Sequence, residues 1–211
     1  MTPPSRRLVD LDLRNLDELP HPCRQCVFWE LDADAAQRAV VAGDPALDKE
    51  AWISAALLEW GACGTLAYVG SVPAAYVLYA PPASVPRSRT FPTSPVSADA
   101  VLLMTAHVLP PYTGQGLGRS LVQAATWDLL GRGVKALEAF GTAAGAGDLG
   151  GASCVLPADF LTSVGFTVVR PHHRYPRLRL DLADAISWNL EVQAAIDRLL
   201  TTRRPVGAAR H

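Results

Sequence analysis

The sequence has almost no net charge, hardly any lysine and no long apolar run, and each shortage removes a class of protein. Nineteen basic residues against twenty acidic ones leave a formal charge of −1 over 211 residues. A general nucleic-acid binder needs surplus cations to displace the counterions of a phosphate backbone, so nucleic acid is not an expected partner. Lysine occurs only at Lys49 and Lys135, and the other basic residues are arginines, a compositional habit without functional content. The longest apolar stretch, Ala98 to Leu109, is broken by Asp99 and His107. It falls well short of the roughly 20 residues a membrane helix needs, and no membrane is expected as a partner. Near the start, Asp10 and Asp12 interrupt what would be the apolar core of an export signal, so a cytoplasmic protein is expected. Its four cysteines (Cys23, Cys26, Cys63 and Cys154) are then expected as thiols rather than disulfides.

What the chain does have is apolar character, 49% hydrophobic residues at a mean hydropathy of +0.14. A largely unfolded chain, which needs low hydrophobicity and high charge, is excluded. The length suits one domain spanning 1–211, and neither a composition break nor an internal repeat divides it.

Periodicity orders the elements. Leu8 to Leu13 alternates apolar and acidic residues like a half-exposed strand. Two prolines argue against regular structure from Leu19 to Cys26. Asp32–Val41 and Lys49–Trp60 read as helices, and Cys26 to Glu30 as part of a helix under a cleft. Thr65–Val69 and Ala74–Tyr79 flank Gly70-Ser71 as a hairpin. The connection 81–98, with five prolines, is long enough to be functional or disordered. Ala100–Leu109 reads as a strand, and its Val101-Leu102-Leu103-Met104 has the continuous apolar character of a central one. Gly118–Leu130 is a helix with Leu117, Leu121, Ala125 and Leu129 on one stripe. Strands at Val134–Phe140, Phe166–Arg170 and Leu178–Leu182 follow, with a short helix at Pro157–Val164. An amphipathic tail helix is expected over 184–201. Partly adjacent strands outnumbering helices make the class α+β, with one mixed, mostly antiparallel sheet flanked by helices.

The sharpest feature is the run Val108-Leu109-Pro110-Pro111-Tyr112-Thr113-Gly114-Gln115-Gly116-Leu117-Gly118-Arg119-Ser120. Three alternate glycines sit between a buried strand and an amphipathic helix. Glycine permits φ > 0 and lets successive amides point into one concavity. The helix start adds its unpaired donors and the positive end of its dipole. A phosphate or pyrophosphate suits such a site. A Walker loop needs Lys-Ser/Thr with another glycine spacing, and a dinucleotide fingerprint needs a glycine where Arg119 or Leu121 stands.

On this V-x-P-x-Y-x-G-x-G-x-G run after a strand and before a helix, the sequence resembles the GNAT family of N-acetyltransferases. The order of elements matches that acyl-CoA N-acyltransferase fold over about residues 8–182. The resemblance implies acetyl-CoA as cofactor. Its pyrophosphate would lie on Thr113, Gly114, Gln115, Gly116, Leu117, Gly118, Arg119 and Ser120. The backbone of His107, Val108 and Leu109 would pair with its pantetheine arm like an added strand, in a gap between the central strand and its neighbour. It also implies acetyl transfer to a primary amine, on a small molecule or a protein, by direct attack in a ternary complex. A homodimer is compatible.

The chain departs from the family where protons move. Leu102 stands where members often place a Glu base, and Leu161 where they often place a Tyr acid before Gly-Phe, here Gly165-Phe166. Glu138 is one substitute, a base acting through water, unless it is simply solvated or paired. Cys154 is another, as a donor to the thiolate or an acyl carrier, unless it is a small buried residue. His107 has a near-neutral reference pKa, but alternation from Val108 turns it away from the thiol. The rival function is a catalytically silent acyl-CoA sensor of the same fold.

Three other signals are weaker. Gly145-Ala146-Gly147-Asp148-Leu149-Gly150 fits a dinucleotide pattern without its helix or its later acid. His21, Cys23 and Cys26 lack the second pair a zinc site needs, so local packing or redox sensitivity is the better reading and no metal is expected. Arg170 to Arg177 is a dense basic stretch, suited to an acidic acceptor or an adenosine phosphate, or to a solvated hairpin.

Overall fold

The computed structural model describes residues 5–143 and 154–185. Eight strands form one sheet: β1 (Arg6–Asp10), β2 (Gly64–Val69), β3 (Val72–Ala80), β4 (Ala100–Val108), β5 (Ala136–Thr142), β6 (Leu156–Pro157), β7 (Thr167–Arg170) and β8 (Arg177–Asp181). Their spatial order is β1-β2-β3-β4-β5-β8-β7, with β6 also on β5. All pairs are antiparallel except β4–β5 and β5–β6. The helices are α1 (His21–Arg24), α2 (Ala33–Ala42), α3 (Pro45–Glu59), α4 (Leu117–Gly131) and α5 (Ala158–Ser163).

Local chemistry sets the boundaries. The Asp32 carboxylate accepts the Ala35 amide at 2.8 Å and the Asp44 carboxylate accepts the Leu47 amide at 3.1 Å, capping α2 and α3. Pro45 then opens α3 where its missing amide costs nothing, so this helix starts earlier than periodicity indicates. The same allowance corrects the expectation for 19–26: Pro22 lies in the first turn of α1, and a four-residue helix forms. Residues 26–27 are irregular and 28–30 turn, so the expected helix there is absent. Gly70, at φ 64°, makes the β2–β3 hairpin.

The sheet separates two apolar layers, because alternate residues of a strand face opposite sides. Val101 and Leu103 of β4 pack with Leu117, Leu121, Ala125 and Leu129 of α4 on one side. Leu102 and Met104 pack with Trp29, Ile53 and Phe91 on the other. The 81–98 connection is ordered and belongs to that second layer. Phe91 stacks on Phe140 at 4.3 Å and on Trp29 at 5.2 Å, while Thr93 donates to the Tyr175 carbonyl at 2.9 Å. The 145–150 glycine pattern lies outside the described residues, as does the expected tail helix beyond residue 185.

Candidate functional site

Pro110-Pro111 ends β4 in a single 3-10 turn, which delivers the chain into the glycine bend. Gly114 and Gly116 adopt φ 73° and 79°, the left-handed region that other residues enter at a cost of about 1–2 kcal/mol. A side chain at either would point into open space. Gly118 is needed for a different reason: a Cβ there would stand 3.1 Å from the Phe160 ring. Among the described residues the amides of Gly114 to Arg119 donate to no carbonyl, although Thr113 donates to Pro110 and Ser120 to Gly116. Helix α4 has no side-chain cap and no acid in its first turn. Six successive free donors thus lead into the positive end of a 15-residue helix.

The bend opens on a cavity of about 320 Å³ whose walls include Val108, Gly114, Gly118, Phe160 and Val164. A larger one, about 450 Å³, is lined by Arg119, Thr126, Leu180 and Ala185, and none of the bend's three glycines borders it. The Arg119 guanidinium donates to the Ser163 carbonyl at 2.7 Å, so this side chain ties α4 to α5, and the bend receives its backbone amide. On the other flank the Arg6 guanidinium donates to the Gln115 carbonyl at 3.0 Å. Leu117 is buried in the α4 layer, and the Thr113 and Ser120 hydroxyls bond locally to Pro110 and Gly116.

Beside the bend, the sheet comes apart. Strands β4 and β5 pair only at Ala100–Ala136, Val101–Leu137 and Leu102–Glu138. The β3–β4 register shifts just beyond, between Leu78 and Tyr79, so Met104 is an extra residue in β4. Such a bulge bends its strand, and here it accompanies the divergence of β4 from β5. The edge of β4 past Leu102 therefore has no strand partner on the β5 side. The Leu109 amide donates to Ala74 at 2.9 Å on β3. Alternation along an antiparallel strand puts the His107 amide on the β3 side too, and turns those of Ala106 and Val108 toward the gap. Of the three positions expected to meet pantetheine, Val108 faces the gap, Ala106 joins it, and His107 and Leu109 do not offer their amides.

The polar side chains near the gap are mostly occupied. Glu138 is fully buried, facing the second layer with Ala136 and Phe140. It accepts from Arg177 at 2.5 Å, from Arg179 at 3.3 Å and from the Ser97 amide at 3.1 Å. With both oxygens paired and water excluded it bolts β5 to β8 and to the 81–98 connection, which corrects the expectation of a base. The same pairs absorb Arg177 from the basic stretch, and His172 Nδ1 accepts the Arg174 and Tyr175 amides. Cys154 lies with its sulfur 3.0 Å from that of Cys26, and its carbonyl accepts from Trp29 Nε1. Half-buried His107 has its ring 6.0 Å from that of Tyr76, and burial lowers its pKa below the ordinary value, favouring neutral imidazole. One group escaped the sequence reading. The Tyr175 hydroxyl, by the end of β5, is buried without a partner among the described residues, and no spacing rule marks it.

No family model matches this sequence, and no curated protein matches it either. Solved structures do. The PaiA N-acetyltransferase of Thermoplasma acidophilum, in complex with coenzyme A, superposes at TM-score 0.54 and 12% identity, covering 84% of this chain and 99% of that one. A putative GNAT-family acetyltransferase of Desulfovibrio desulfuricans gives 0.51 at 16% identity, with 84% and 99% covered. YncA, a putative acetyltransferase from Salmonella typhimurium with acetyl-CoA, gives 0.51 at 15%, with 84% and 94% covered. The chain has the GNAT N-acetyltransferase fold.

Within the GNAT fold the departures noted in the sequence keep their weight. Leu102 and Leu161 are both fully buried in apolar layers, so neither position opens to a proton carrier brought by solvent. No helix among the described residues is long and apolar enough to cross a membrane.

Proposed function

We propose that this protein binds acetyl-CoA and transfers its acetyl group to a primary amine. The observation that carries the reading is the bend at Gly114 to Arg119, where six unpaired amides meet the start of α4 beside a gap in the sheet. The chain's own groups fit the cofactor. Those amides would take the pyrophosphate, and the Ala106 and Val108 edge would pair with the pantetheine amides. The thioester would then lie in the gap, where a strand amide polarises its carbonyl toward an incoming amine. The amine attacks, the carbon–sulfur bond breaks, and coenzyme A leaves as thiolate.

Proton handling falls to groups outside the family's usual positions. His107, held neutral by burial, can take the amine proton through water. The unpaired Tyr175 hydroxyl on the β5 side can protonate the thiolate. Thiol release from acetyl-CoA in the presence of amine and peptide libraries tests the reading, and Tyr175→Phe should lower kcat without weakening coenzyme binding. Absence of coenzyme binding would overturn the proposal. Binding without turnover would favour the second reading, a silent acyl-CoA sensor in an interaction role, which the leucines at positions 102 and 161 and the paired Glu138 support.

A further inference from the structure

Cys26 and Cys154 are 128 positions apart in the chain, yet their sulfurs lie 3.0 Å apart. Groups other than sulfur bring them together. Trp29 Nε1 donates to the Cys154 carbonyl at 3.0 Å, and Lys49 Nζ donates to the Cys26 carbonyl at 2.7 Å. Lys49 is itself fixed by a buried ion pair to Glu30 at 2.5 Å. Both cysteines are only partly buried, unlike Cys63.

The four thiols are not equivalent. Cys63 is fully buried, and burial pushes its thiol up to about 12. Burial likewise holds the proton on Cys23, which stands near the Tyr76 hydroxyl. At Cys26 a hydrogen bond from Cys154 outweighs burial, and the Phe28 amide adds to it, so its pKa falls below the ordinary thiol value. Cys154 keeps its proton as the donor of that bond. A thiolate next to a protonated, accessible thiol is the arrangement in which oxidation is both fast and reversible.

We infer that Cys26 and Cys154 form a hydroperoxide-reactive dithiol site, with Cys26 oxidised first and Cys154 closing the disulfide. The Cys26 thiolate attacks one peroxide oxygen. A sulfur–oxygen bond forms, the oxygen–oxygen bond breaks, and hydroxide leaves a sulfenic acid. The Cys154 sulfur then attacks Cys26. The sulfur–sulfur bond forms, the sulfur–oxygen bond breaks, and the departing hydroxide leaves as water with the Cys154 proton. Two thiols give up two electrons and two protons, and hydrogen peroxide becomes two waters. The sulfurs need to approach by only about 1 Å to reach bonding distance.

The test treats the full, reduced chain with hydrogen peroxide and maps unreduced peptides by mass spectrometry. The expected result is one linked peptide joining Cys26 to Cys154, lighter by two hydrogens and restored by dithiothreitol, with Cys63 still alkylable under denaturant. Cys154→Ala should lose the link and slow alkylation of Cys26 several-fold at neutral pH, since the donor that favours its thiolate is gone. A Cys23–Cys26 link, a link between chains, or no reaction at peroxide levels that oxidise free cysteine would each overturn the assignment. The peptide map uses the unaltered chain, so it does not depend on how the variant folds.

Discussion

The glycine bend and the layer around Glu138 lie at opposite ends of the same two strands, and they treat their polar groups in opposite ways. At the bend, six backbone donors in a row have no partner among the described residues, and all of their residues except Gln115 line a cavity. Around Glu138, two arginines and the Ser97 amide satisfy both oxygens of a fully buried carboxylate. Unpaired donors are tolerated when they are exposed and costly when buried, so the bend is a place for a ligand and the Glu138 cluster a place for cohesion. In a fold shared with acetyltransferases, the part that would hold the coenzyme is open, while the carboxylate nearest the gap is spent on structure.

The largest effect expected from this contrast is on stability. Glu138→Ala would strand Arg177 in a buried site, and removing one member of a buried pair costs about 3–5 kcal/mol. Urea unfolding should show that loss, with coenzyme A affinity of the folded protein unchanged; a stable variant lacking only turnover would return Glu138 to catalysis. Next comes Gly116→Val, in which a branched side chain is forced to φ 79°. Losing two charge-assisted bonds to pyrophosphate costs about 3 kcal/mol, or roughly a hundredfold in coenzyme affinity by calorimetry, while the strained torsion lowers the thermal midpoint by only about 2–8 °C. Arg119→Ala should weaken binding less than about tenfold, because its guanidinium is engaged with Ser163 and the amide stays. A loss as large as that of Gly116→Val would mean that the side chain grips the ligand.

The smallest effect is on pH dependence. Burial holds the His107 pKa below the 6.5 of an exposed histidine, so the unfolded chain binds the proton more readily. Stability therefore falls as pH drops through and below that value, and His107→Gln should flatten this slope in unfolding curves from pH 7 to 5. An unchanged slope would show that His107 is solvated like the bend rather than held like Glu138.

Legibility followed the range of the forces. Apolar periodicity and glycine placement predicted α4, the β2–β3 hairpin, β4 and the bend, because these depend on neighbours a few residues away. Helix α1 was hidden by Pro22, which breaks a helix interior but not its first turn. Strand β6 is two residues long and exists only because Gly141 and Thr142 offer it an edge. The Tyr175 hydroxyl reads as an ordinary tyrosine until the contacts around it fail to supply a partner.

By itself the sequence determined where the backbone must turn, since Gly114 and Gly116 alone make a left-handed bend cheap between a buried strand and an amphipathic helix. It also determined the two-sided burial of the first half of β4, through the apolar run from Ala100 to Met104. Only the tertiary structure decided which edge amides face the gap, that Glu138 is paired, and that Cys154 meets Cys26. A turn or a strand face depends on local torsions and spacing, whereas a pairing between residues 128 positions apart exists only once the sheet has brought both ends together.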